Sequence, residues 1–366
     1  MRFKAAILKK ISEPLEIEEV ELISLAPNDV LIRNYASGLC HTDLEVMQGS
    51  LTYPLPIVLG HEGSGIVEEV GKDVTNIKPG DHVIASWNPH CGNCFYCDRN
   101  EPILCEPFTR EQPRGKMLDG SSRLRLGSET LYHFGIVSSH AQYSVVPNSG
   151  AIVVPKGIPF DRACLIGCSV MTGVGAVVRK AKTQAGDSIA VIGCGAVGLN
   201  AIQGGKIAGA ELIIAIDQDP ARLEIAKNFG ATHLVIAGDL TIDEVKDLTA
   251  GRGADAVFEA AGAESTLQLA FEITRPGGQL VILGKTEQNR KVSIRFGSMM
   301  GEKRIVRSSY GGARPQRDFP WLAELYLDGH LKLDELISLR LPLDKINEGF
   351  DGMKRREVIR AVLELS

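Results

Sequence analysis

The chain has little that would tie it to nucleic acid or to a bilayer. Its 40 Lys and Arg are outnumbered by 45 Asp and Glu, a formal charge of −5, and that balance offers no basic surface for a phosphate backbone. No apolar run reads as long enough to cross a hydrocarbon core, so no membrane partner is expected. The opening stretch MRFKAAILKKISEPLEIEEV turns acidic within a few residues. It lacks the apolar core and cleavage site of a secretory signal, which makes the cytoplasm the expected location. Neither repeats nor low-complexity tracts interrupt the sequence. What remains is an ordinary globular composition, 44% hydrophobic and 23% charged over 366 residues, long enough for two domains with ample cores.

Cysteine is the informative residue. Cys91, Cys94, Cys97 and Cys105 stand together in HCGNCFYCDRNEPILC, while Cys40, His61 and Cys168 are scattered across the first half. Zinc favours a tetrahedron of thiolate and imidazole ligands. Structural sites fill all four positions with protein, and catalytic sites supply three ligands and leave one open. The clustered set can wrap one metal in a short loop, and the scattered set can build an open site. Disulfides or inert buried thiols are the bland alternatives for the cluster. CxxCxxC without a secretion signal disfavours disulfides. Two zinc ions per chain are expected, one structural and one catalytic.

The two halves of the chain are written differently. Up to about residue 155, short β-prone segments (30–35, 64–70, 82–86 and 141–146) alternate with Gly and Pro turns, as in a mostly antiparallel, barrel-like domain. From about residue 170, apolar β-branched runs at 188–192, 212–217, 233–236, 254–260, 279–283 and 304–308 are mostly separated by helical stretches such as 196–208 and 220–229. Buried parallel strands with crossover helices read this way, and six of them make a doubly wound α/β (Rossmann) sheet. The domain division predicted is 1–169 with 310–366 against 170–309, because the closing run IRAVLEL is placed to return to the first domain.

The junction SIAVIGCGAVGLN carries the second constellation. Gly193, Gly195 and Gly198 form GxGxxG between an apolar strand and a helix. The first glycine permits a tight turn, the second lets backbone approach a pyrophosphate, and the third allows close helix–strand packing. The helix start then offers unpaired N–H groups to phosphate. The next strand, LIIAID, ends in Asp217, 19 residues beyond Gly198. A carboxylate there pairs with adenosine ribose hydroxyls and repels a 2′-phosphate, which favours NAD over NADP. Zinc and NAD in one chain point to alcohol–aldehyde chemistry. A Lewis-acid metal acidifies the alcohol, and the nicotinamide takes the hydride.

The residues also carry a family resemblance. GHEGSGIVEEVGKDV (60–74) resembles the zinc signature of medium-chain, zinc-dependent alcohol dehydrogenases, as do GLCHTD around Cys40 and LIGCSVMTGVGAVV around Cys168. MLDGSSRLRL (117–126) and LDKINEGFD (343–351) are similar to the long-chain dimeric branch, which includes liver-type and glutathione-dependent formaldehyde dehydrogenases. The resemblance runs from near residue 5 to the C-terminus. It implies a GroES-like catalytic domain and a homodimer, with a homotetramer as the alternative assembly.

Carried over, the family pattern places the catalytic zinc on Cys40, His61 and Cys168. It makes Glu62 an acid near the metal, Asp43 the residue that orients His61, and Thr42 the hydroxyl that takes the alcohol proton. Val197, Arg222 and Arg360 join the glycines and Asp217 as cofactor contacts, Arg360 near the pyrophosphate. Otherwise Arg360 would be a solvated surface charge. Three positions depart from the liver-type pattern. His41 replaces an arginine that faces the pyrophosphate, and a histidine holds less charge there at pH 7. Glu45 replaces a histidine that ends the proton relay, so the proton either reaches Glu45 through water or leaves by another path. Lys285 replaces an apolar residue near the nicotinamide, and it either enters the pocket or snorkels to solvent.

By the resemblance, Leu51, Trp87 and Phe134 line the pocket, with Met300 further out. An aromatic and aliphatic channel suits apolar primary alcohols, benzylic or allylic ones included, and rejects polyols whose hydroxyls would lose water unpaired. The glutathione-dependent branch has an acidic pair just before the zinc histidine, whereas GSLTYPLPIVLGHE has no acid before His61. That opposes oxidation of a glutathione adduct and leaves a formaldehyde dehydrogenase acting on another thiol adduct as the alternative activity. A binding protein that keeps only the fold is opposed by the complete ligand set, as is a zinc-free reductase.

Overall fold

A computed structural model describes residues 1–286 and 289–365. The chain forms two compact units, Met1–Cys168 with Arg314–Ser366, and Ser169–Ala313. The boundaries lie one and four residues from the predicted divisions at 169/170 and 309/310.

The first unit holds two sheets. One is built mainly from the hairpin β1 (Arg2–Leu8) and β2 (Glu16–Leu22), which pair antiparallel. The other centres on β3 (Asp29–Leu39), flanked antiparallel by β4 (Gly63–Val70) and by the last strand, β5 (Arg360–Glu364). The run IRAVLEL thus returns to the first unit. Two registers position everything that follows. Ser37 pairs with Gly63, so Cys40, just past the end of β3, comes level with His61 and Glu62, just before β4. Ala361 pairs with Leu39, so Arg360 lies opposite the start of the loop that carries Cys40. Val30, Ile32, Val67 and Val83 of this sheet are buried in one apolar cluster, while Leu39 is buried in another with Phe134, Ile346 and Phe350.

The second unit is a six-stranded parallel sheet. In chain order its strands are Ser188–Ile192, Leu212–Asp217, His233–Ile236, Ala254–Glu259, Thr274–Ile282 and Arg304–Arg307. In space they run 3-2-1-4-5-6, the doubly wound order, with all neighbouring pairs parallel. Its three central strands, Ser188–Ile192, Leu212–Asp217 and Ala254–Glu259, are near-continuous apolar runs and mostly buried, as parallel strands covered on both faces are. The order reverses between the first strand and the fourth, and in such sheets ligands bind at that crevice.

One expectation needs correction. The helical run Phe160–Ala181 is long and apolar enough to cross a membrane, although 72% of its apolar window is buried inside the protein. Its interior placement follows from packing that no length criterion sees.

Candidate zinc and cofactor sites

The loop between β3 and the helix α1 (His41–Gln48) builds the first site. Cys40 caps α1, and its backbone N–H donates to Asp43 Oδ2 at 3.2 Å. The other carboxylate oxygen accepts from Gly60 N at 3.0 Å and faces His61 Nδ1 at 3.3 Å. Asp43 therefore ties the Cys40 loop to the His61 loop and fixes which imidazole nitrogen is left for a metal. Cys168 arrives from a π-helical turn, Ile166–Val170, a distortion that often marks functional sites. Cys40, His61, Glu62 and Cys168 each offer a ligand atom, all within 4.8 Å of one another.

The electrostatics of this group fit a cation. The hydrogen bond from Cys168 holds the Cys40 thiol well below its ordinary value, against the penalty of burial. The same bond and burial hold Cys168 well above it. Burial works against a charged His61, yet Asp43 and Cys40 outweigh it and raise the imidazole. Two soft sulfurs and an imidazole, stripped of water around shared protons, are the donors zinc prefers.

Glu62 is fully buried beside these ligands, and burial pushes its pKa up to about 7 against the pull of Arg360. One carboxylate oxygen accepts from the Arg360 guanidinium and the other has no partner among the described residues. Arg360 is only 2% exposed, which overturns the alternative of a solvated surface charge. Its described ion pair is with Glu62, while its Nε is unpaired.

The second cluster sits in the lobe after residue 90. Cys91, Cys94, Cys97 and Cys105 again place their sulfurs within 4.8 Å. The Cys91 and Cys97 sulfurs are 4.0 Å apart, close to the ~3.8 Å edge of a tetrahedron with zinc–sulfur bonds of about 2.3 Å. Backbone N–H groups already point at the sulfurs, from Cys91 to Cys105 at 3.3 Å and from Glu106 to Cys94 at 3.5 Å. The latter lowers Cys94 to about 6.

The other predicted residues of the first unit lie on α1 or in the apolar packing near His61. Thr42 Oγ1 lies 3.8 Å from Cys40 Sγ. Glu45 is one turn along α1 from Thr42 and, like it, half-buried; His41 is exposed at the helix start. Phe134 is buried and packs edge-on against His61, ring centroids 5.4 Å apart. Trp87 is half-buried, and Leu51 packs against the cluster that contains Phe134. Tyr53 was not anticipated. Its ring meets Phe134 edge-on at 5.0 Å, and its hydroxyl accepts from Gln112. Its alternation with Leu51 in LTYP was the available signal.

In the second unit the glycine loop has the anticipated shape. Gly193 has φ +93°, a conformation that side chains disfavour. A Cβ on Gly198 would lie 1.8 Å from the Gly193 carbonyl oxygen, whereas one on Gly195 would meet nothing within 4 Å. The backbone at Gly195 is thus open to a ligand, and it caps the helix Ala196–Ala208 whose first turn includes Val197. Asp217 is held by two backbone amides, from Cys194 at 2.7 Å and from Asp219 at 3.0 Å. Each oxygen keeps a second lone pair for a ribose hydroxyl. Arg222 lies 3.9 Å from Asp219. Lys285 and Met300 are both exposed.

The same two units recur in known proteins. Models of the alcohol dehydrogenase GroES-like domain and of the zinc-binding dehydrogenase match residues 26–156 and 196–328. The class-3 alcohol dehydrogenase of Myxine glutinosa is 39% identical over 366 residues, covering 99% of this chain and 97% of that one. The chain belongs to the zinc-dependent medium-chain alcohol dehydrogenase family. The S-(hydroxymethyl)glutathione dehydrogenase of Paracoccus denitrificans is 36% identical, over 99% of this chain and all of that one. The crystal structure of benzyl alcohol dehydrogenase from Acinetobacter calcoaceticus has a TM-score of 0.94 at 29% identity, covering 100% of both chains. As a family member the chain is an NAD-dependent zinc alcohol dehydrogenase, acting between small alcohols and aldehydes.

Proposed function

We propose that the enzyme reversibly oxidises an apolar primary alcohol, benzylic or allylic, to its aldehyde with NAD. The observation that carries this reading is the Phe134 ring packed edge-on against His61, with Tyr53 behind it and Leu51 in the same apolar cluster. Polar substituents beside these side chains would lose water without gaining partners. When bound, zinc supplies Lewis-acid polarisation of the substrate oxygen and NAD accepts hydride.

The residues of the chain do the rest. Cys40, His61 and Cys168 hold the metal, and Asp43 keeps the His61 ring in place. The Thr42 hydroxyl, beside Cys40, takes the alcohol proton, and Glu45 three residues on shares its helix face and can receive that proton through water. Asp217, Gly193, Gly195, Gly198 and Val197 seat the dinucleotide, with Arg222 near its adenosine end. Arg360 and the exposed His41 would serve the pyrophosphate, and Lys285, which is exposed, either enters the pocket at the nicotinamide end or keeps its ammonium in solvent.

A second reading, oxidation of a thiol adduct of formaldehyde, is favoured by the names of the class-3 relatives. The segment 49–59, GSLTYPLPIVL, opposes it because no carboxylate precedes His61 to hold a glutathione amine. The assembly proposed is a homodimer. Arg304–Arg307 is an edge strand of the parallel sheet, and Phe296, Met300 and Ile305 at or just before it are exposed, a surface that another chain can cover. The compartment proposed is the cytoplasm.

Following NADH formation over benzyl alcohol, cinnamyl alcohol, glycerol, sorbitol and S-(hydroxymethyl)glutathione tests the activity. The aryl and allylic alcohols should lead. Glycerol or sorbitol in first place would sink the apolar reading, and the glutathione adduct in first place would favour the second.

A further inference from the structure

Asp43 stands between two histidines. On one side is His61 Nδ1, at 3.3 Å; on the other is His140 Nε2, 3.7 Å from the same carboxylate oxygen. His140 is completely buried, and its Nε2 has no hydrogen-bond partner among the described residues. Its Nδ1 lies 2.9 Å from Ser37 Oγ, which in turn is 2.7 Å from Ser139 Oγ. Ser37 and Ser139 are fully buried as well. No role has been given to this polar string, although it ends on the carboxylate that orients a zinc ligand.

Its hydrogen atoms can be assigned by counting. Burial lowers the His140 pKa to about 4, against the attraction of Asp43, so the ring is neutral and carries one N–H. If that proton sat on Nδ1, the Nε2 lone pair would face a carboxylate across 3.7 Å of buried space, a repulsion with nothing to screen it. With the proton on Nε2 the contact becomes attractive. Nδ1 then accepts from the Ser37 hydroxyl, and Ser37 accepts from Ser139. Each hydroxyl in the string has one donor role, and the donors run toward Asp43.

Packing ties the ring to the same place. Gly60, whose backbone N–H donates to Asp43, has φ +93°. A Cβ there would lie 2.4 Å from His140 N and 2.7 Å from its Nδ1. The His140 segment is therefore pressed against the backbone that leads into His61.

We propose that His140 is a positioning residue of the catalytic zinc site: as the Nε2–H tautomer set by Ser37, it aims its one N–H at Asp43 and holds that carboxylate on His61. Groups behind metal-binding histidines commonly change metal affinity or activity tenfold or more when removed. One step further out, the effect here is a severalfold change in how tightly the site holds its metal. The inference rests on Cys40, His61 and Cys168 being the catalytic zinc ligands.

The test reads the metal rather than turnover. Zinc-loaded wild type, His140→Phe and His140→Gln are mixed with a chromophoric chelator, and zinc release from each site is timed. Phenylalanine keeps the ring volume and deletes the N–H, while glutamine can place an amide N–H where Nε2 was. The phenylalanine variant should release the catalytic zinc at least threefold faster, with the structural zinc unchanged as an internal control. Glutamine should recover most of the difference. Equal release from all three proteins would overturn the proposal, and so would glutamine as fast as phenylalanine, since packing alone would then explain the effect. Nitrogen-15 chemical shifts of His140 in the zinc-loaded enzyme supply a second readout, and an Nδ1–H tautomer would overturn the proposal whatever the variants do. Metal analysis separates this from failure of the underlying assignment: wild type with one zinc per chain refutes the ligand set itself.

Discussion

Glu62 and Arg360 are 298 residues apart in sequence and form a buried ion pair beside Cys40, His61 and Cys168, the candidate metal ligands. The pairing of β5 with β3 brings them together, since Ala361 lies opposite Leu39. Removing one partner of a buried pair leaves an uncompensated charge, which typically costs about 3–5 kcal/mol. Arg360→Met should therefore destabilise the first unit by roughly that amount in urea unfolding. The double variant Arg360→Met/Glu62→Gln should recover a large part of the loss. Simple addition of the two single losses would show that the pair is not coupled.

The two zinc sites should respond differently to loss of a ligand. Cys168→Ala should abolish turnover and leave a folded protein with one zinc. Cys97→Ala should chiefly lower thermal stability, because a closed structural site contributes directly to folding. Zinc counting and circular dichroism on the two variants check this, and equal loss of structure in both would contradict it.

Asp217 should set cofactor choice. Its carboxylate is anchored by Cys194 and Asp219 amides, so it cannot swing away from a 2′-phosphate. NAD should be preferred over NADP by at least tenfold in kcat/KM, which corresponds to about 1.4 kcal/mol. Asp217→Ser should narrow the ratio, and an unchanged ratio would remove Asp217 from the explanation.

His133 makes acid destabilising. Burial, with help from Arg123 and Lys116, lowers its pKa from 6.5 to about 3, and its Nε2 accepts from Arg123 N at 3.0 Å. A folded-state pKa below the unfolded one means that the stability is present above pH 6.5 and is lost as pH falls toward 3. Between pH 6.5 and 5 the loss from this residue should be about 2 kcal/mol. The Tm of His133→Gln should fall less steeply over that interval than that of wild type. Parallel curves would contradict the assignment.

The two groups of candidate zinc ligands, which the fold brings together, were legible in the sequence because zinc restricts both residue type and spacing. The glycine loop was legible because strand, turn and helix follow one another within 13 residues, SIAVIGCGAVGLN. Asp43 and Thr42 were read only through their neighbour Cys40. What could not be read depends on register between distant segments. Arg360 meets Glu62 only once the last strand pairs with β3. His140 reaches Asp43 only because Gly60 leaves room for it, and nothing local in VSSHAQ marks that ring as facing a carboxylate. Tyr53 belongs to the same class, since its place beside Phe134 is set by two loops folding onto one apolar cluster.

The central claim is hydride transfer from an apolar alcohol to NAD at the site of Cys40, His61 and Cys168. The most direct measurement supplies zinc-loaded enzyme with NAD and benzyl alcohol deuterated at the carbinol carbon. Deuterated NADH and benzaldehyde should form in equal amounts, and Cys168→Ala should form neither. Absence of label in the NADH, or oxidation of glycerol in preference to benzyl alcohol by the same preparation, would contradict the account.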